Sequence, residues 1–443
     1  MSQDLEKLFE FIRFPSVSTD PTKKKDLLAC SEWLIKELRA IGLTADSYET
    51  AGHPVVLAKN KHVPGKKNIM IYGHYDVQPV DPVNLWTNPP FEPTVRDGII
   101  YARGSADNKG QMFAHVCGVK AYLEKHKELP INLTFLFEGE EEIGSAHLND
   151  FLIAHKKDIP CDLIIISDTG MVGPGIPTMT YGLRGITCLE VQITGPKMDL
   201  HSGSFGGGIM NPIFALSKLM STFHDANGKV LVEGFYNGVK GLETWEKECW
   251  AKLPDFDNEY ITLTGSKKIF GDKDYTSRER TWARPTLEFN GVGGGYQGEG
   301  SKTVIPSRAF VKISCRLVPD QDPKAVHEAL CKHIEKHMPS EVDYKILFQH
   351  DGKAYFMDPH SKEGLAAQRA LEKTFGRETV FIREGGSIPI VEKFKKVLGA
   401  DTLLLGLALP DCRAHSPDEN YPIENFEKGI LFNQHLIEEL AKL

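Results

Sequence analysis

The segment FEGEEEIGS, Phe137 to Ser145, carries four glutamates in five positions: Glu138, Glu140, Glu141 and Glu142. An apolar run from Ile131 to Phe137 leads into it. Carboxylates crowded at the end of a buried strand repel one another and resist desolvation, so the segment calls for a cation. Other points of the same chemical kind follow other apolar runs. GHYD brings His74 and Asp76, a Ser-Asp pair brings Asp168, and LALPDCRAHSPDEN brings His415. Asp107, in GSADNKG, stands where a glycine-rich turn feeds a helix.

His74, Asp107, Glu142, Asp168 and His415 make five nitrogen or oxygen donors. A single hydrolytic metal takes about three protein ligands plus water. Five donors with one shared carboxylate suit two ions about 3.5–4 Å apart. Imidazole with carboxylate favours zinc, with manganese or cobalt as alternatives. Asp76, two residues after His74, has the place of a carboxylate that orients a ligating imidazole. Glu141 points away from its neighbour Glu142, so one can bind metal while the other acts as general base. Singly, each residue has a plainer reading: a structural histidine, a solvated glutamate turn, or an aspartate helix cap. Their joint placement at strand ends favours the metal reading.

The elements that must position them read as α/β. Apolar runs IMIYG (69–73), LTFLF (133–137), LIIIS (163–167) and DTLLLGLAL (401–409) alternate with helical segments, among them Asp26–Ile41, 362–375 and Glu424–Leu443. Such alternation predicts a mostly parallel sheet covered by helices, with ligands beyond the carboxyl ends of the strands. The middle reads β-α-β-β-α-β: strands at 185–195, 286–289, 309–317 and 342–348, helices at 212–223 and 323–337. That order is ferredoxin-like α+β. The expected organisation is a catalytic domain in two parts, 1–182 and 354–443, interrupted by a smaller domain, 183–353. The stretch 228–284, with Trp245, Trp250 and Trp282, shows no clear period. His333 and His337 lie four apart on a predicted helix, with His327 and Cys331 nearby, a spacing that can chelate metal. Lacking a neighbouring acidic strand end, they read as a solvated helix face.

Bulk properties narrow the function. The chain has 443 residues, a net charge of −8 and no basic run longer than Lys23–Lys25, which argues against a nucleic-acid partner. No apolar stretch approaches the ~18 residues of a membrane span, and the charged N-terminus lacks a signal-peptide core. The eight cysteines are scattered, as expected of thiols in a reducing, cytoplasmic setting.

HYDVQPV, YARGSADNKG, EGEEEIGS, the strand-end Ser-Asp and RAHSPDE resemble the co-catalytic dizinc metallopeptidases related to carnosinase and cytosolic nonspecific dipeptidase. Aminoacylase, the glutamate carboxypeptidases and succinyl-diaminopimelate desuccinylase belong to the wider family. DLHSGSFGG, KTVIPSRAFVKISCRLVPDQ and REGGSIPI resemble the dipeptidase branch. The resemblance implies that His74 and Asp168 bind one zinc, Glu142 and His415 the other, and that Asp107 bridges. Glu141 would be the base and Asp76 its supporting carboxylate. Glu140 stands where relatives often carry Met, and matching on EIGS selects Glu141 and Glu142. A cis peptide is implied at Asp107–Asn108. The middle domain would be a lid that also forms a homodimer. His201 would act across that interface, and Thr303, Arg316 and Ser387 would contact substrate. The activity implied is hydrolysis of dipeptides or other very short peptides. The alternatives are an N-acyl-amino-acid deacylase or desuccinylase and, outside enzymes, an inactive metal-binding scaffold subunit.

Overall fold

The computed structural model describes residues 2–386 and 388–443, with only the backbone at 389. The chain divides into two compact units. One comprises 1–181, 357–382 and 393–443; the other comprises 182–356 and 383–392.

The first unit is built on strands β1 (Thr44–Tyr48), β2 (Val55–Lys59), β3 (Asn68–His74), β4 (Asn132–Glu138), β5 (Leu163–Ile166), β6 (Thr178–Leu183) and β7 (Asp401–Leu404). Their order is β1-β2-β4-β3-β5-β7-β6. The four central strands, β4-β3-β5-β7, are parallel, while β1, β2 and β6 join antiparallel. β4 and β5 are buried along their whole length, which is what continuous apolar runs such as LTFLF and LIII require. Helix Lys109–His126 packs on β3 and on the closing helix Ile423–Leu440. Parallel strands put their carboxyl ends on one edge, so the segments after His74, Glu138, Ile166 and Leu404 leave the sheet together.

The run DTLLLGLAL is expected as one long strand, but β7 stops at Leu404. A Cβ on Gly406 would lie 2.2 Å from the Thr169 carbonyl oxygen, so glycine permits the two post-strand segments to cross closely.

The second unit carries an antiparallel four-stranded sheet in the order Thr286–Gly294, Arg308–Leu317, Gly185–Thr194, Asp343–Gly352. Burial alternates along Arg308–Leu317, so one face is apolar. Helices Pro212–Met220 and Pro323–His337 pack on the sheet. Leu216, Leu219, Val326, Leu330 and Ile334 meet Val191, Ile193, Val311 and Ile313 in its core. This is the expected ferredoxin-like order, with the strands at 286 and 343 longer than the apolar pattern suggests. The insertion that showed no period holds three short helices, Thr244–Ala251, Phe256–Thr264 and Ser277–Trp282. Aromatic rings join them: Trp282 packs on Trp250 and Phe256, with the Arg278 guanidinium over both Phe256 and Trp282. Helices this short present too few turns for a period to be read.

Candidate metal centre

The crowded glutamates separate by environment. β4 ends at Glu138, and Glu141–Ile143 form a 3-10 turn closed by Gly144 at φ 90°. Glu138 is buried and accepts from Tyr72 Oη at 2.5 Å and Ser145 Oγ at 2.8 Å. Burial pushes its carboxyl up to about 7 despite those bonds. Glu140 is buried too and faces elsewhere: it meets His147 Nδ1 at 2.9 Å and accepts from the His53 amide at 3.2 Å. Glu140 and one oxygen of Glu138 are therefore matched internally, while Glu138 Oε2 is buried without a hydrogen-bond partner. Glu141 and Glu142 face the centre.

Asp76 connects the β3 end to that turn. Its Oδ1 accepts from the Glu141 amide at 3.3 Å and its Oδ2 from the Glu142 amide at 3.1 Å. His74 Nδ1 lies 3.4 Å from Asp76 Oδ1 and 3.1 Å from the Asp76 carbonyl oxygen. The other ring nitrogen faces the centre. His74 Nε2 lies 3.2 Å from Asp107 Oδ1 and 3.6 Å from Asp168 Oδ2. It is buried, yet neither approach has hydrogen-bond geometry. On the opposite side, His415 Nε2 lies 2.9 Å from Asp107 Oδ2 and 3.3 Å from Glu142 Oε2. Asp107 thus presents one oxygen to His74 and the other to His415. His74, Asp107 and Glu142 offer ligand atoms within 4.8 Å of one another. The Asp107–Asn108 peptide is cis, as the resemblance implies.

The cluster is electrically unbalanced. Asp76, Asp107, Glu141, Glu142 and Asp168 are five carboxylates facing two imidazoles, so two protonated histidines would still leave an excess of three negative charges. Burial pushes the Glu141, Glu142 and Asp168 carboxyls up, with His74 or His415 opposing it. Burial disfavours the His74 imidazolium, but Asp168, Asp107 and Asp76 outweigh it and raise its pKa well above the usual value. The Asp107 and Glu142 carboxylates beside it push His415 up to about 10. Those two histidines in turn pull Asp107 down against burial. Buried His74 Nε2 and Glu142 Oε1 are both without a hydrogen-bond partner. A divalent cation would satisfy both atoms and offset the charge, so the donor set fits a metal.

Residues given no place in the centre from sequence complete the site. Gln78 Nε2 donates to Glu142 Oε2 at 2.8 Å. Asn108 Nδ2 donates to Asp168 Oδ1 at 2.8 Å and to the Ser167 carbonyl at 2.6 Å. Glu419 grips the loop that carries Asp107. All three lie inside motifs already quoted, and each is a polar residue within four positions of a candidate ligand.

In the second unit, His201 lies on a two-stranded ribbon in which Leu200 pairs with Ile305 and His201 with Val304, and Thr303 immediately precedes the second strand, its carbonyl accepting from the Ser202 amide at 3.1 Å. Both side chains are exposed, and His201 Nδ1 accepts from the Gly203 amide at 3.0 Å. Arg316 lies on the sheet, paired with Ile186 and Thr286, close enough to Arg184 to lower that guanidinium's pKa alongside burial. Ser387 lies outside the described residues. The rival histidine cluster is not the solvated face expected of it. His333 is 7 % exposed because it falls on the stripe of Val326, Leu330 and Ile334 that packs on the sheet.

A sequence profile of Peptidase family M20/M25/M40 matches residues 70–439. The Cys-Gly metallodipeptidase DUG1 of Candida albicans is 34% identical over 96% of this chain and 92% of its own length. Among solved structures, the M20 family metallo-carboxypeptidase Sso-CP2 of Sulfolobus solfataricus aligns over 100% of both chains, with TM-score 0.86 and 33% identity. Human carnosine dipeptidase 1 aligns over 100% of this chain and 96% of its own, with TM-score 0.85 and 29% identity. The fold and acidic centre define a hydrolase of the metallopeptidase class. Within it, the chain belongs to Peptidase family M20/M25/M40.

Proposed function

We propose that the protein hydrolyses the peptide bond of dipeptides or other very short peptides, using two divalent cations and Glu141 as general base. One observation carries the reading: Asp107 directs its two oxygens to two histidines that each approach a further carboxylate, Asp168 on one side and Glu142 on the other. His74 and Asp168 would hold one cation, Glu142 and His415 the second, with Asp107 shared. Zinc suits this imidazole and carboxylate set, with manganese or cobalt as substitutes. The bound cations would supply positive charge that acidifies water and polarises a carbonyl. Asp76 holds the His74 ring and the Glu141–Glu142 turn in one geometry.

Glu141 suits the role of base. Among the described residues nothing donates a hydrogen bond to its carboxylate, and its raised pKa favours proton uptake. It would take a proton from the attacking water and return it to the departing amine. His201 of a second copy would donate to the developing oxyanion. Arg316 would pair with the substrate α-carboxylate, a fork suited to two parallel bonds, and Thr303 and Ser387 would also contact substrate. A homodimer through the 183–353 lid is supported by exposed Phe214 on helix Pro212–Met220 and exposed Val292 on the edge strand Thr286–Gly294. A cytoplasmic setting is supported by buried thiols at Cys30, Cys117, Cys188 and Cys315. No helix among the described residues is long and apolar enough to cross a membrane.

The test is amino-acid release by zinc-loaded protein from free dipeptides, their N-acetylated forms and tripeptides. Release from free dipeptides is expected. Release from the acetylated forms alone would move the protein to deacylase chemistry. No release from any of them, with both metals bound, would sink the peptidase reading.

A further inference from the structure

We infer that Glu419 is a positioning residue that sets the distance between Asp107 and His415. The inference rests on the metal-centre reading above. Glu419 is fully buried and its four lone-pair positions are all filled. Its Oε1 accepts from the Ala106 amide at 2.8 Å and the Asp107 amide at 2.9 Å. Its Oε2 accepts from the Gly104 amide at 2.9 Å and Arg103 Nη1 at 2.8 Å. The second arm of Arg103 donates to the Pro79 carbonyl at 2.9 Å. Burial pushes its carboxyl up and Arg103 opposes that; a protonated acid or an amide could not accept all four bonds.

The location gives these bonds a consequence. Glu419 stands four residues after His415 on the same loop, while three of its donors are main-chain amides of the loop that presents Asp107. One carboxylate therefore ties together the two loops whose side chains meet at 2.9 Å. The His415 loop needs such a tie. Arg413, His415 and Asp418 all adopt left-handed backbone, at φ 55°, 62° and 58°, which non-glycine residues resist. Asp418 secures the far side of this loop through Thr87, whose amide and hydroxyl donate to it at 2.9 and 2.7 Å. Glu419 secures the side that faces Asp107.

The experiment is a competitive Zn2+ titration against a chromogenic chelator, run on wild type and Glu419→Gln. The amide keeps the side chain's shape but turns an N–H toward amides that need an acceptor. Zinc affinity at the Asp107-linked site should weaken by about 10–100-fold, the scale expected when support behind a ligand is removed. At saturating zinc, kcat should fall while KM for a dipeptide changes little. Glu419→Asp, which keeps the charge on a shorter arm, carries the same titration if the amide variant does not fold. Thr87→Val loosens the loop from its other side and should leave zinc affinity near wild type. Wild-type zinc affinity in whichever Glu419 variant folds would overturn the inference, as would an equal loss in Thr87→Val. Wild type that binds no zinc would instead overturn the metal-centre reading itself.

Discussion

His74 and His333 are both buried histidines in clusters that could chelate metal by residue type, yet their surroundings differ in kind. His74 Nε2 has no hydrogen-bond partner, and the carboxylates of Asp107 and Asp168 converge on it. His333 Nε2 meets Thr222 Oγ1 at 2.8 Å, and that hydroxyl in turn donates to the Leu219 carbonyl at 2.7 Å. His333 is therefore a neutral donor with its polar need met. Among the described residues its cluster mates pair with no carboxylate either: His327 Nε2 turns to Cys331 Sγ at 3.5 Å while its Nδ1 is without a partner, and the His337 ring lies tilted against His333. Histidine spacing alone does not distinguish the two regions. What does is uncompensated negative charge around an unpartnered nitrogen, which the ends of parallel strands assemble and a single helix face does not.

The largest effect should come from the carboxylate least tied down. Glu141→Gln is expected to lower the rate of dipeptide hydrolysis by about 10²–10⁴-fold, the range a general base contributes. Its metal content by elemental analysis should stay at the wild-type level. Loss of metal together with rate would make Glu141 a ligand and blur the division between Glu141 and Glu142. Metal removal comes next. Dialysis against a chelator should bring thermal unfolding to lower temperature, since a ligand present at 100 times its dissociation constant stabilises by about 2.7 kcal/mol per site. An unfolding curve that does not move on chelation would argue that the acidic cluster tolerates its charge without cations. Asn108→Ala should cost about 10-fold in metal affinity or activity, because Asp168 loses its only side-chain amide donor among the described residues. Equilibrium dialysis with zinc reads it directly.

Much of the first unit could be read from residues because its signals are local. Continuous apolar runs announced buried parallel strands, and the acidic or histidine residues just past them marked one edge. Asp107, Glu142 and His415 come together as that logic expects. The distribution of the glutamate run was not legible. Whether Glu138 and Glu140 face the centre or turn to protein partners depends on Tyr72, Ser145, His53 and His147, up to 87 residues away in the chain. The support from Glu419 was hidden for the same reason, as its bonds span more than 300 residues. In the insertion, cohesion comes from aromatic and guanidinium stacking between short helices, which leaves no periodic trace. His333 misled because helix numbering puts it near His337, whereas its burial follows from the Val326, Leu330 and Ile334 stripe.

The smallest effect sharpens the comparison from the other side. Burial lowers the pKa of His333 to about 4, with His337 and Lys336 adding repulsion. In the unfolded chain a histidine titrates near 6.5. The unfolded state therefore takes up the proton first as pH falls. His333 contributes stability above about 6.5, and that contribution is lost progressively as pH falls toward about 4. His333→Leu keeps the apolar stripe but removes the bond to Thr222, a change worth about 1 kcal/mol at neutral pH. In urea unfolding the variant should show a shallower loss of stability between pH 6.5 and pH 4 than wild type does. Zinc content and hydrolysis should be unaltered. Loss of bound zinc in His333→Leu would show that both clusters hold metal, and the distinction drawn from charge and partnering would fail.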